Sequence, residues 1–154
     1  MTEVNVLFGT ESGNAEMVAD EIAEVMTTAG LGAVVTELTD VDIPDLGSGD
    51  VVVLISSTYG EGGLSASAEP FYEALADDRP ALDGLRFAAF GLGDSSYENY
   101  NRAIDTLSAL LVELGAEQIG MTGRHDATSG TSPVDVAVDW ANELVADLQP
   151  SINV

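Results

Sequence analysis

Neither lysine nor cysteine occurs in this sequence of 154 residues, and its basic side chains are four arginines, Arg79, Arg86, Arg102 and Arg124. Without cysteine there is no disulfide framework, thiolate metal site, iron–sulfur cluster or cysteine nucleophile. Four basic against 27 acidic side chains leave a formal charge of −23. No basic stripe able to displace phosphate counterions can be assembled, which excludes a duplex-binding protein. Anionic lipid would be repelled by the same surface, and no segment reaches the roughly 18 apolar residues of a membrane span. The first eight residues enter an apolar run with no basic start, unlike a secretory signal. A cytoplasmic protein with no nucleic-acid or membrane partner is expected.

Disorder does not follow from the charge, because 45% of the residues are hydrophobic and the mean hydropathy is +0.17. The length suits one domain spanning residues 1–154. Short apolar runs alternate with helical patterns. Residues 4–9 read as a first strand. A helix over about 15–29 follows, with Val18, Ile22, Val25, Met26 and Ala29 on one face and Asp20, Glu21 and Glu24 away from it. Gly30 is placed to end it in a left-handed cap. Residues 33–38 form a second strand, and 39–49 a loop with at most one helical turn. Residues 51–55, Val-Val-Val-Leu-Ile, are apolar at consecutive positions, the pattern of a central strand covered on both faces.

A short helix is expected over 69–76 with Pro70 in its first turn, a fourth strand over 86–91, and a helix over 103–114. In that helix Ile104, Leu107, Leu110, Leu111 and Leu114 face inward. A fifth strand is expected over 118–122 and a last helix over 133–148, with Trp140 on its apolar face. This alternation predicts an α/β doubly wound sheet of five parallel strands with right-handed crossovers. Ligands of such sheets bind outside the carboxyl ends of the strands.

Three loops there carry polar chemistry. Residues 9–16, Gly-Thr-Glu-Ser-Gly-Asn-Ala-Glu, set two hydroxyls, a glycine and an asparagine at a helix N-terminus, where backbone N–H groups and the helix dipole favour an anion. Without lysine this is no nucleotide-hydrolase loop, so a terminal monophosphate is the fitting anion; an ordinary Ser/Thr/Asn helix cap fits this loop equally well. Residues 56–63, Ser-Ser-Thr-Tyr-Gly-Glu-Gly-Gly, offer bare backbone and Tyr59 to a flat ligand, or form a plain turn. Residues 91–101, Gly-Leu-Gly-Asp-Ser-Ser-Tyr-Glu-Asn-Tyr-Asn, start like a dinucleotide fingerprint but have Ser96 at the sixth position, and that reading fails. Tyr97 and Tyr100 supply planar surface or core. His125, the sole histidine, lacks partners for a metal site and reads as a loop residue near the ligand rim.

Taken together, the three motifs resemble the flavodoxin-like family. The chain is most similar to MioC-type stand-alone flavodoxins and to the FMN-binding domain of diflavin reductases such as sulfite reductase flavoprotein and cytochrome P450 reductase. The resemblance implies the short-chain flavodoxin-like fold, a three-layer sandwich with strand order 2-1-3-4-5. It implies FMN as cofactor, with Thr10, Glu11, Ser12, Gly13, Asn14 and Ala15 around its phosphate. Thr58, Tyr59, Gly60, Glu61 and Gly62 would line one side of the isoalloxazine, with the Gly60 carbonyl accepting from reduced N5. Tyr97 would stack on the other face. Leu92, Gly93, Asp94, Asn99, Tyr100 and Asn101 would complete the ring and ribityl surroundings, with Asp126 at the far rim.

The function implied is a monomeric low-potential carrier of single electrons from a flavodoxin reductase-type donor to a basic-surfaced acceptor protein, with no catalytic residue of its own. Two other readings of the same resemblance are an FMN-dependent quinone or azo reductase and an excised domain of a diflavin reductase. A receiver-like module of this fold would need a lysine late in the chain, and there is none. Where the family usually continues Asp-Pro-x-Asp-Asn, this chain has Gly63-Leu-Ser-Ala-Ser-Ala68, which leaves a flavin-free member of the fold as a further reading. Complete loss of lysine, with acidic residues spread over every helix, points to a halophilic host as well as to partner docking.

Overall fold

The computed structural model describes residues 3–9, 14–41, 51–59, 63–64, 68–82, 85–93, 102–119, 122–126 and 130–152. In chain order these form β1 (Glu3–Gly9), α1 (Asn14–Thr28), β2 (Gly32–Glu37), a 3-10 turn (Leu38–Asp40), β3 (Val51–Tyr59) and β4 (Gly63–Leu64). Then come α2 (Ala68–Asp78), β5 (Arg86–Gly93), α3 (Arg102–Glu113), β6 (Glu117–Gln118), β7 (Gly123–Asp126) and α4 (Pro133–Ile152). The main sheet runs β2-β1-β3-β5-β6, with β7 also on β5; all of these pairs are parallel, whereas β4 turns back antiparallel onto β3.

The strand order 2-1-3-4-5 is therefore present once β6 and β7 are counted as two pieces of one edge strand. The single strand expected over 118–122 is not formed. Phe87 pairs with Gln118 and Phe90 with Gly123, so the edge advances five residues while β5 advances three. The registers of β6 and β7 on β5 therefore differ by two residues. Before that shift Glu117 and Ile119 still donate to the Leu85 and Phe87 carbonyls, at 2.9 and 2.8 Å.

β3 is buried on both faces, as its unbroken apolar run required. Val51, Val53 and Ile55 join Val4, Val6, Phe8 and Phe90 in a core under Val18, Ile22 and Met26 of α1 and Ala137, Ala141 and Leu144 of α4. Val52 and Leu54 join Leu7, Phe87 and Ala89 in a second core under Phe71 and Leu75 of α2 and Ile104, Leu107 and Leu111 of α3. Alternation of side chains across the sheet thus divides the strands between two cores and makes a three-layer sandwich. Trp140 is only partly buried; its ring stands 5.4 Å from that of Phe90, tilted by 58°.

Helix ends follow their local chemistry. At the end of α1, Gly30 has φ +95°, its N–H donates to Thr27 O, and Leu31 N–H donates to Met26 O, both at 3.0 Å. That pair is a Schellman motif, with Leu31 buried behind it. Gly115 (φ +112°) and Ala116 repeat it after α3. After α2 the left-handed position is occupied by Arg79, at φ +45°, whose N–H donates to Leu75 O at 2.9 Å.

Candidate functional site

The sheet register aligns the carboxyl ends of four strands at one edge. Gly9 of β1 pairs with Ser56 of β3, and Ser56 in turn with Gly91 of β5. One step outward Ser57 pairs with Leu92, which pairs with His125; Gly93 pairs with Asp126. Every loop carrying polar chemistry in the sequence therefore leaves the sheet from this edge. α1 begins here too, five positions after the last residue of β1, so its unsatisfied N–H groups and the positive end of its dipole lie beside the same row.

Individual residues divide by how the chain presents them. Asn14 is the first residue of α1, and Ala15 behind it is fully buried in the α1–α4 core, so it has only its backbone to offer a ligand. Glu16 in the first turn is exposed. Thr58 and Tyr59 lie within β3, beyond the end of the strand expected from the apolar run, and their backbones pair with Leu64 and Gly63 of β4. β4 thus runs antiparallel to the end of β3, with Gly63 opposite Tyr59.

Leu92 and Gly93 likewise continue β5 past the point where a loop was expected. The Leu92 side chain is buried with Phe8, Ile55 and Phe90, which leaves its backbone for the edge. Asp126 is half-buried at the end of β7, opposite Gly93. Thr10, Glu11, Ser12, Gly13, Gly60, Glu61, Gly62, Asp94, Tyr97, Asn99, Tyr100 and Asn101 lie outside the described residues.

His125 differs from its sequence reading. It is a strand residue of β7 rather than a loop residue, it is buried, and its Nε2 stands 2.8 Å from the Thr131 carbonyl. Nothing in the sequence around it signals this, because the bond depends on where the chain returns six residues later. Gly123, at the start of β7, has no room for a side chain: a Cβ there would lie 2.8 and 2.9 Å from Trp140 Cδ1 and Nε1 and closer still to Phe90. Arg124 between them donates from Nη2 to Asp105 Oδ1 of α3 at 2.6 Å.

Two grooves elsewhere do not compete with the edge. One of about 240 Å³ lies between α1 and α4, lined by Glu21, Glu24, Val25, Thr28, Val138 and Asn142; the other, about 500 Å³, is lined by Tyr72 of α2 and by α3. Among the described residues no cluster of histidine, aspartate and glutamate is arranged to hold a metal ion, and no helix is long and apolar enough to cross a membrane.

Comparison with known proteins agrees with this geometry. The family model described as Flavodoxin matches residues 6–144. Protein MioC of Escherichia coli strain K12 is 36% identical over 146 residues, covering 94% of this chain and 97% of MioC. NADPH–cytochrome P450 reductase of Aspergillus fumigatus is 32% identical over 164 aligned residues, covering 96% of this chain but 23% of the reductase. Among solved structures, a cysteine-to-serine mutant of flavodoxin from Pseudomonas aeruginosa superposes with a TM-score of 0.87 at 31% identity, covering 96% of this chain and 99% of that one. Oxidised flavodoxin 1 from Bacillus cereus gives 0.82 at 29% identity over 94% of this chain and 98% of its own.

Proposed function

The chain belongs to the flavodoxin family, and from that premise we propose that it is a MioC-like FMN-binding carrier of single electrons. The observation that supports this most is the alignment of the ends of β1, β3, β5 and β7 at one sheet edge, next to the N-terminus of α1. FMN, when bound, supplies the redox chemistry, and the protein's part is to hold it, exclude water and tune its electronics.

Thr10, Glu11, Ser12, Gly13, Asn14 and Ala15 are proposed to bind the phosphate at the head of α1. The fit rests on the helix: Ala15 is committed to the core, so at that position the first turn has its N–H group and no bulky side chain to offer. Thr58 to Gly62 would line one side of the isoalloxazine, supported by the place of Thr58 and Tyr59 at the carboxyl end of β3. Tyr97 would cover the opposite face. Leu92, Gly93, Asp94, Asn99, Tyr100 and Asn101 would enclose the rest, and Asp126 would close the far rim beside Gly93.

No residue in this reading acts as a general acid or base, which distinguishes a carrier from a quinone or azo reductase. Adding negative charge to a ligand in a field of −23 is unfavourable, so the second electron should enter at low potential. The same field favours a reductase-type donor and an acceptor whose docking surfaces are basic. A cytoplasmic setting at high salt is part of the proposal.

The test is a visible spectrum of protein purified in molar KCl, followed through stepwise dithionite reduction. A yellow protein that releases FMN and passes through a long-wavelength blue stage supports the carrier. Colour without that stage, together with steady NADPH oxidation by the isolated protein, would replace the carrier with a two-electron enzyme. A colourless protein that takes up no added FMN would refute the cofactor.

A further inference from the structure

We propose that His125 is a positioning residue of the FMN site: by bonding the Thr131 carbonyl it latches the segment that carries Asp126 at the far rim. This rests on the FMN reading above and goes beyond it, because it assigns a task to a side chain outside the set proposed to bind FMN.

The argument starts from β7. This strand has four residues, and it is tied to its surroundings at each of the first three. Gly123 lies flat against Phe90 and Trp140, Arg124 reaches Asp105 of α3, and His125 reaches Thr131. The fourth residue, Asp126, is the one delivered to the edge, opposite Gly93. Arg124 and Asp105 are both substantially exposed, at 38% and 55% of their side-chain area, so salt screens that tie.

His125 is different. It is 7% exposed, and a carbonyl can only accept, so Nε2 carries the hydrogen and donates it. Its bond spans from the residue before Asp126 to a residue two positions before α4, so both ends of the connection between the edge and that helix are held at a fixed separation. This bond, part-buried and made to a backbone carbonyl, is not an ion pair, so molar salt does not screen it as it screens Arg124–Asp105. Ordering the far rim before the ligand arrives removes that entropy from the cost of binding.

The experiment measures the affinity of apo-protein for FMN and for riboflavin by flavin fluorescence quenching, in molar KCl and well below the melting transition of every variant. The variants are His125→Phe, which keeps a ring but has no donor; His125→Asn, whose shorter amide does not reach Thr131; and His125→Gln, whose terminal amide stands where Nε2 stood. With this one part-buried bond lost, Phe and Asn should each weaken binding about tenfold, by the same factor for both flavins, and Gln should recover to within about threefold.

Unchanged affinity in the Asn variant would overturn the proposal, and so would a Gln variant as weak as the Phe one. A loss confined to FMN would place the effect at the phosphate and overturn it too. Should the Phe variant not fold, the Asn and Gln pair still decides. A merely structural histidine would lower the melting temperature of all three variants and leave both affinities untouched. Wild-type protein that binds neither flavin would fail the FMN reading itself, an outcome visible before any variant is made.

Discussion

Replacing Gly123 with alanine adds one methyl group where the structure leaves no room for it. An ideal Cβ there would stand 2.8 Å from Trp140 Cδ1 and 2.9 Å from Nε1, and nearer still to Phe90 Cδ2. Carbon atoms in contact prefer about 3.5 Å, so Trp140 alone would have to retreat by about 0.7 Å. Phe90 cannot give way, being fully buried on β5 and paired on both sides. The strain therefore falls on the half-buried Trp140 and on β7.

Overpacking of this kind costs about 1–3 kcal/mol, and the loss of glycine's unfolded-state freedom returns about 0.4–1 kcal/mol. The middle of those ranges leaves a net destabilisation of about 1–2 kcal/mol, which for this chain length is a fall in Tm of roughly 2–8 °C. Urea unfolding in molar KCl checks it, with Trp140 as the sole tryptophan reporting both stability and local environment. A loss below about 0.5 kcal/mol, or unaltered Trp140 emission, would refute the reasoning. So would a Phe90→Val, Gly123→Ala double mutant that lost stability additively, since removing ring atoms from position 90 should relieve part of the strain.

Three further outcomes follow from particular residues. Arg79 occupies a left-handed position, and its ion pair with Glu113 is 3.6 Å long with both side chains more than half exposed; Arg79→Gly should therefore raise stability by about 0.5–1 kcal/mol in molar KCl, read as a higher urea midpoint at unchanged m-value. The Ser108 hydroxyl on α3 is buried with no hydrogen-bond partner among the described residues, so Ser108→Ala should stabilise by up to about 1 kcal/mol, and a lower Tm would show that the hydroxyl is satisfied in solution. With a formal charge of −23, and with the Arg79–Glu113 and Arg124–Asp105 pairs both exposed, Tm should rise steeply from low salt to molar KCl; a Tm indifferent to KCl would remove the halophilic reading.

Sequence by itself determined which elements exist and which of them is central. Apolar residues on every position of 51–55 have no polar face to turn outward, so β3 had to lie between two covered faces. The apolar stripes of α1 and α3 and the glycines that follow them likewise needed no tertiary information, because a helix face and a left-handed cap are local properties. The three polar motifs pointed to the carboxyl edge through chain order alone.

Tertiary structure decided what depends on a partner far along the chain. Ser56–Tyr59 and Gly91–Gly93 look like loop by composition, yet they pair because the neighbouring strands and β4 offer hydrogen bonds there. Residues 119–122 look like strand by alternation, yet the register on β5 shifts by two residues and splits the edge, and Gly123 is needed because Phe90 and Trp140 meet over it. His125 reads as an isolated polar residue until the chain returns at Thr131, whose carbonyl accepts a hydrogen bond from it. Periodicity reports which way a side chain faces within its own element, whereas pairing, close approach and burial are set by elements that the local sequence does not contain.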